Sequence, residues 1–66
     1  MSFAENLVRE MDRAGCGVRD LAESVSVSQW TVYHWRNGYS APHVDMVAEV
    51  ACRLGCTCDD LIRGRA

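Results

Sequence analysis

The residues of this chain with the most reactive side chains are four cysteines, Cys16, Cys52, Cys56 and Cys58, and two histidines, His34 and His43. Four thiols in a short chain can form a disulfide framework in an oxidising compartment, or they can bind zinc. Neither chemistry matches the pattern here. Cys52-x3-Cys56-x-Cys58 is not the C-x2-C hook of a zinc site, and a fourth ligand would have to come from Cys16 or a histidine. The segment Met1-Ser2-Phe3-Ala4-Glu5 lacks the basic and apolar regions of a secretory signal, so a cytoplasmic location is expected. The cysteines are therefore expected to be free thiols acting as small hydrophobes, with no metal and no cofactor. No nucleophile and base pattern points to catalysis, and an enzyme is not expected. A second group is aromatic. Trp30 and Tyr33 fall on the side of a helical segment opposite Val32 and Trp35, and aromatics facing solvent mark a contact surface.

The elements that must position these side chains are helices. Apolar residues recur at helical spacing between the breakers Gly15, Gly17, Gly38, Pro42, Gly55 and Gly64, and no stretch alternates as a strand would. Ser2-x-x-Glu5 is a capping-box pattern, opening a first helix with Phe3, Leu7, Val8, Met11 and Ala14 on one face. A short second helix is expected from about Val18 to Val25, with Leu21, Ala22 and Val25 inward. Ser28 reads as the N-cap of a third helix running to about Asn37, pinned by Val32 and Trp35 and stopped by Asn37-Gly38. A fourth helix, about His43 to Leu54, would turn Val44, Val47, Ala48, Ala51 and Leu54 inward. Thr57-x-x-Asp60 opens a fifth, carrying Leu61 and Ile62. The expected fold class is all-α: a compact bundle of five short helices.

Length and charge bound what such a bundle can do. The chain has 66 residues, 48% of them hydrophobic, and these form one domain, 1–66, with a thin core. No apolar run approaches the roughly 18 residues of a membrane span, so no membrane partner is expected. Seven basic residues, all arginine, face nine acidic ones, for a net charge of −2. An acidic balance by itself argues against nucleic acid. The distribution qualifies it. No carboxylate lies between Ser24 and Val44, where Arg36, His34 and His43 are found, while Glu5, Glu10, Asp12, Asp45, Glu49, Asp59 and Asp60 crowd the first, fourth and fifth helices.

The stretch Leu21-Ala22-Glu23-Ser24-Val25-Ser26-Val27-Ser28-Gln29-Trp30-Thr31-Val32-Tyr33-His34-Trp35-Arg36-Asn37-Gly38 resembles the helix-turn-helix of phage Cro proteins and repressors, the XRE-like family. That family's pattern reads L-A-x-x-x-G-V-S-x-x-x-I-x-x-W-x-x-G, then a proline, an apolar helix and L-G-x-x-x-D-x-L. The later parts correspond here to Pro42, the Val44 to Leu54 helix, and Leu54-Gly55-Cys56-Thr57-Cys58-Asp59-Asp60-Leu61. The resemblance covers about residues 4 to 63. It implies a phage repressor or Cro type of bundle, with the helix-turn-helix formed by helices 2 and 3, about residues 18–37. The segment from about Ser28 to Asn37 would then enter the major groove.

By that resemblance Gln29, Trp30, Tyr33 and His34 face base edges. Phosphate contacts fall to Gly17, Val18 and Arg19 at the start of helix 2, to Ser28 and Thr31, and to Arg36, Asn37, Tyr39 and Ser40. Ser28 and Asn37 are also caps in their own right. Three positions depart from the pattern. Ser26 stands where the turn glycine is usual, Val18 where a polar phosphate contact is usual, and Trp30 where a small polar residue is usual. The function implied is a sequence-specific DNA-binding transcriptional regulator of phage, plasmid or bacterial type. Its partner would be double-stranded DNA with a two-fold operator, bound as a homodimer through the surface around Leu61 and Ile62. The alternative is a protein-interaction module on the same scaffold, antitoxin-like or partner-binding, with Trp30 and Tyr33 meeting a protein.

Overall fold

A computed structural model describes residues 2–64. Five helices follow one another: α1 (Phe3–Ala14), α2 (Val18–Ser24), α3 (Gln29–Arg36), α4 (Val44–Leu54) and α5 (Cys58–Ile62), with no strand among the described residues. None of them is long and apolar enough to cross a membrane. Local chemistry sets most of the boundaries. The Ser2 hydroxyl accepts from the Glu5 N–H while the Glu5 carboxylate accepts from the Ser2 N–H, and Thr57 with Asp60 repeats the arrangement at α5. At the C-terminal ends a backbone N–H reaches back five residues: Cys16 to Met11, Tyr39 to His34, Cys56 to Ala51 and Gly64 to Asp59. The first three of these closures turn on a left-handed residue, Gly15, Gly38 and Gly55 respectively, whereas Arg63, before the last donor, stays right-handed.

The link between α2 and α3 closes in the same way, Val27 N–H to Ala22 carbonyl at 3.0 Å, but on Ser26 at φ 59°. A serine there carries a steric cost of about 1 kcal/mol that glycine avoids. α3 packs against α1 and α2, and α5 against α1 and α4. The core is one cluster, in which Leu7, Leu21, Val32, Val50 and Leu61 have no solvent exposure and Trp35 is nearly as buried. Cys16 is buried in it and Cys56 and Cys58 pack against its edge, while Cys52 is exposed.

Several expectations change. On α4 the buried row is Val47, Val50, Ala51 and Leu54; Val44 and Ala48 are exposed. Those four share one helical stripe, whereas Val44 and Ala48 lie beside it and Val44 sits in the first turn. On α1, Ala14 is exposed and the buried residues are Asn6, Leu7, Glu10 and Met11. Glu10 is thus no part of an acidic surface. Its carboxylate accepts from Arg9 Nη2 at 3.1 Å and Arg13 Nε at 2.7 Å. The same arginines donate onward, Arg9 to the Asp60 carbonyl at 2.9 Å and Arg13 to the Leu54 carbonyl at 2.7 Å. Asn6 donates to the Leu61 carbonyl at 2.7 Å. Helix C-termini leave carbonyls without intrahelical donors, and this face of α1 supplies them for α4 and α5. Among the described residues no buried side-chain polar atom lacks a partner. The expected association surface also changes: Leu61 is fully buried and only Ile62 is half exposed.

Candidate nucleic-acid interface

α3 begins at Ser28, whose hydroxyl accepts from the Thr31 N–H at 3.1 Å and lies 2.9 Å from Thr31 Oγ1. Both hydroxyls are therefore engaged in fixing the first turn, and Thr31 is half-buried. At about 100° per residue, Val32 and Trp35 point into the core, so Trp30, Tyr33 and His34 must point away from it, with Gln29 on one flank. The exposures agree: Gln29 is exposed, Trp30 is 70% exposed and Tyr33 48%. His34 is half-buried because two rings cover it. Its centroid is 4.9 Å from that of Trp30, tilted at 53°, and 5.7 Å from that of Tyr39, which meets it edge-on.

Tyr39 comes from the loop after α3 and is 77% exposed. The closure of α3 onto the His34 carbonyl by the Tyr39 N–H at 3.0 Å returns that loop to the helix. The Trp30, His34, Tyr39 row was not legible as a unit in the sequence. Its first step is an i, i+4 pair, but its second depends on the turn at Gly38. Arg36 is half-buried, and Asn37 and Ser40 are exposed. Asn37 is the C-cap, its N–H donating to the Tyr33 carbonyl.

The start of α2 is a weaker anion site than its position suggests. Gly17 caps it without a side-chain hydrogen bond, which leaves its first N–H groups without a side-chain acceptor. The Val18 side chain is buried, so only its backbone can serve a phosphate. Arg19 is exposed and 3.5 Å from Glu23, an i, i+4 ion pair in open solvent that holds it only loosely. Asp20, in the same first turn, places a negative charge where an anion would approach. One brace was missed by the sequence reading: Arg53 of α4 donates to Ser24 Oγ at the end of α2 at 2.8 Å, fixing the rear of the α2–α3 pair. Among the described residues no group of histidines, cysteines and carboxylates is arranged to hold a metal ion.

A family model described as helix-turn-helix matches residues 9–61. Among solved structures, the fold is similar to that of the P22 c2 repressor protein, determined in complex with synthetic operator 9T in the presence of Tl+. The TM-score is 0.89 at 18% identity, over 98% of each chain. It is also similar to a transcriptional regulator from Listeria innocua, with a TM-score of 0.84 and 26% identity over 98% of this chain and 61% of that one. The chain thus spans less than two thirds of the Listeria protein. No curated protein matches its sequence.

Proposed function

The chain belongs to the helix-turn-helix family, and from that premise we propose that it is a sequence-specific DNA-binding transcriptional regulator. The observation that carries the proposal is the outward face of α3, where Gln29, Trp30, Tyr33 and His34 stand clear of the core on a helix seated against α1 and α2. A helix so mounted fits a major groove about 12 Å wide, and the amide of Gln29 can pair bidentately with adenine. In this reading residues 18–37 are the helix-turn-helix of a single DNA-binding domain acting in the cytoplasm by binding rather than catalysis. The backbone at Gly17 and Val18, with Arg19, Ser28, Thr31, Arg36, Asn37, Tyr39 and Ser40, meets phosphates on either side.

The molecule is 30 Å in its longest dimension. Half-sites of a two-fold operator lie about 34–36 Å apart, so one copy covers one of them and a homodimer covers both. Leu61 cannot take part in that association; Ile62 and the exposed Val44 are the apolar residues open to it. The exposed Trp30 and Tyr39 also suit a protein partner, which is the competing reading. Selection from random duplex oligonucleotides tests the two. Enrichment of an inverted repeat, with affinity lost in Gln29→Ala and Arg36→Ala, supports DNA binding. No enrichment at low salt would overturn it. With few cations on the face, the salt slope should correspond to about two to four neutralised phosphates per monomer.

A further inference from the structure

His34 is the one imidazole on the outward face of α3, and its ring is held between two others. Trp30 meets it at 4.9 Å and Tyr39 at 5.7 Å, which leaves it half-buried. Among the described residues no hydrogen bond or ion pair engages the imidazole. Charge around it is scarce. α3 packs against α1 and α2. On α1, Glu5 is bonded to Ser2, and Glu10 lies between Arg9 and Arg13 on the side toward α4 and α5. On α2, Arg19 pairs with Glu23. Asp12 and Asp20 are exposed, and neither is paired with the imidazole. On α3 and its following loop the other titratable or charged groups are Tyr33, Arg36, Tyr39 and His43, with no carboxylate before Asp45.

Histidine changes charge between about pH 5 and pH 8. A cation is attracted to an aromatic face within about 6 Å, a reach that includes Trp30. Arg36 is the one arginine from Ser24 to Val44, so a single added charge is a large share of what this face can present. Resting on the DNA-binding reading above, we propose that His34 makes operator affinity respond to pH. Its imidazole, positioned by Trp30 and Tyr39, takes up a proton in mild acid and turns a positive charge toward the DNA phosphates. The coupling is reciprocal: phosphates favour the protonated ring, so the protonated protein binds them more tightly. Affinity therefore rises as pH falls.

The test uses the full chain and the labelled duplex obtained by selection, with fluorescence anisotropy as the readout at constant ionic strength. The range from about pH 7.5 to about pH 5.5 spans the histidine transition and leaves ordinary carboxylates ionised. Affinity should rise about fivefold for each monomer bound, the worth of one close ion pair in water. The salt slope should steepen by about 0.9 per monomer. His34→Gln should lose this response, whatever its affinity at the upper pH, with circular dichroism confirming the fold at each pH. His43→Gln should keep it. In Trp30→Ala, which frees the ring, the response should fall below about twofold. A response in the unaltered protein that is flat, or that falls in acid, would overturn the proposal. So would a full response in His34→Gln, and a full response in Trp30→Ala would remove the positioning role of the indole. These results leave the DNA-binding reading standing, whereas failure to select any sequence removes both.

Discussion

Where α1 meets the ends of α4 and α5, a buried carboxylate and amide are engaged by two partly exposed arginines; on the outward face of α3, aromatic surface is exposed and largely unengaged. The first region holds Glu10, Arg9, Arg13 and Asn6, whose hydrogen bonds run to one another and to the carbonyls of Leu54, Asp60 and Leu61. The second holds Trp30, Tyr33 and Tyr39, each about half exposed or more, in contact chiefly with His34 or solvent. A fully buried carboxylate and a cluster of exposed large rings are both uncommon in a folded domain. The difference separates two tasks. The polar region closes a small bundle whose helix ends need donors, and the apolar face keeps its surface for a partner. Substitutions should therefore divide cleanly between stability and binding.

The largest effect expected is from Glu10→Ala. It leaves two guanidinium groups over a void without their shared carboxylate, and should lower stability by about 3 kcal/mol. Urea denaturation followed by circular dichroism measures this, and DNA affinity per folded molecule should be unchanged. Loss of affinity beyond the unfolded fraction would break the division. Trp30→Ala is the converse. Operator affinity should drop about tenfold, roughly what losing a modest area of apolar contact costs. Stability should stay within about 0.5 kcal/mol, as for other exposed sites. A shifted denaturation midpoint would mean that the indole is structural after all.

Ser26→Gly probes the joint between the regions that carry binding and the rest of the bundle. At φ 59° glycine removes the left-handed penalty but adds unfolded-chain entropy, for a net gain of about 0.5 kcal/mol. A destabilised variant would show that the serine hydroxyl contributes something the turn geometry does not. The smallest effect lies at the start of α1. Hydrogen bonds from the Ser2 N–H and hydroxyl hold the Glu5 carboxyl below the usual carboxylate range. A lowered native value contributes stability above the unfolded value, and this is lost as pH falls through the native one. The difference in melting temperature between the unaltered protein and Glu5→Gln should therefore be present at neutral pH. It should vanish in acid. A difference that persisted in acid would put its origin elsewhere.

The sequence by itself determined the helices and the outward face of α3. Caps, closing turns and the spacing of Val32 and Trp35 act within five residues, so their hydrogen bonds and periodicity can be read in a linear string. Only the tertiary structure decided what each face meets. The Asn6 to Leu61 and Arg9 to Asp60 hydrogen bonds join residues 55 and 51 positions apart, and no local signal marks Glu10 as a buried residue. Periodicity equally placed Val44 and Ala48 inward. The core instead met the stripe from Val47 to Leu54, because neighbouring helices, not the hydrophobicity of one, decide which sector is covered. The thiols divided on the same ground: Cys16 is buried and Cys52 exposed, two fates for one residue type. Local order follows from bonds the chain makes with its near neighbours. Burial depends on surfaces that the sequence brings together only once it has folded.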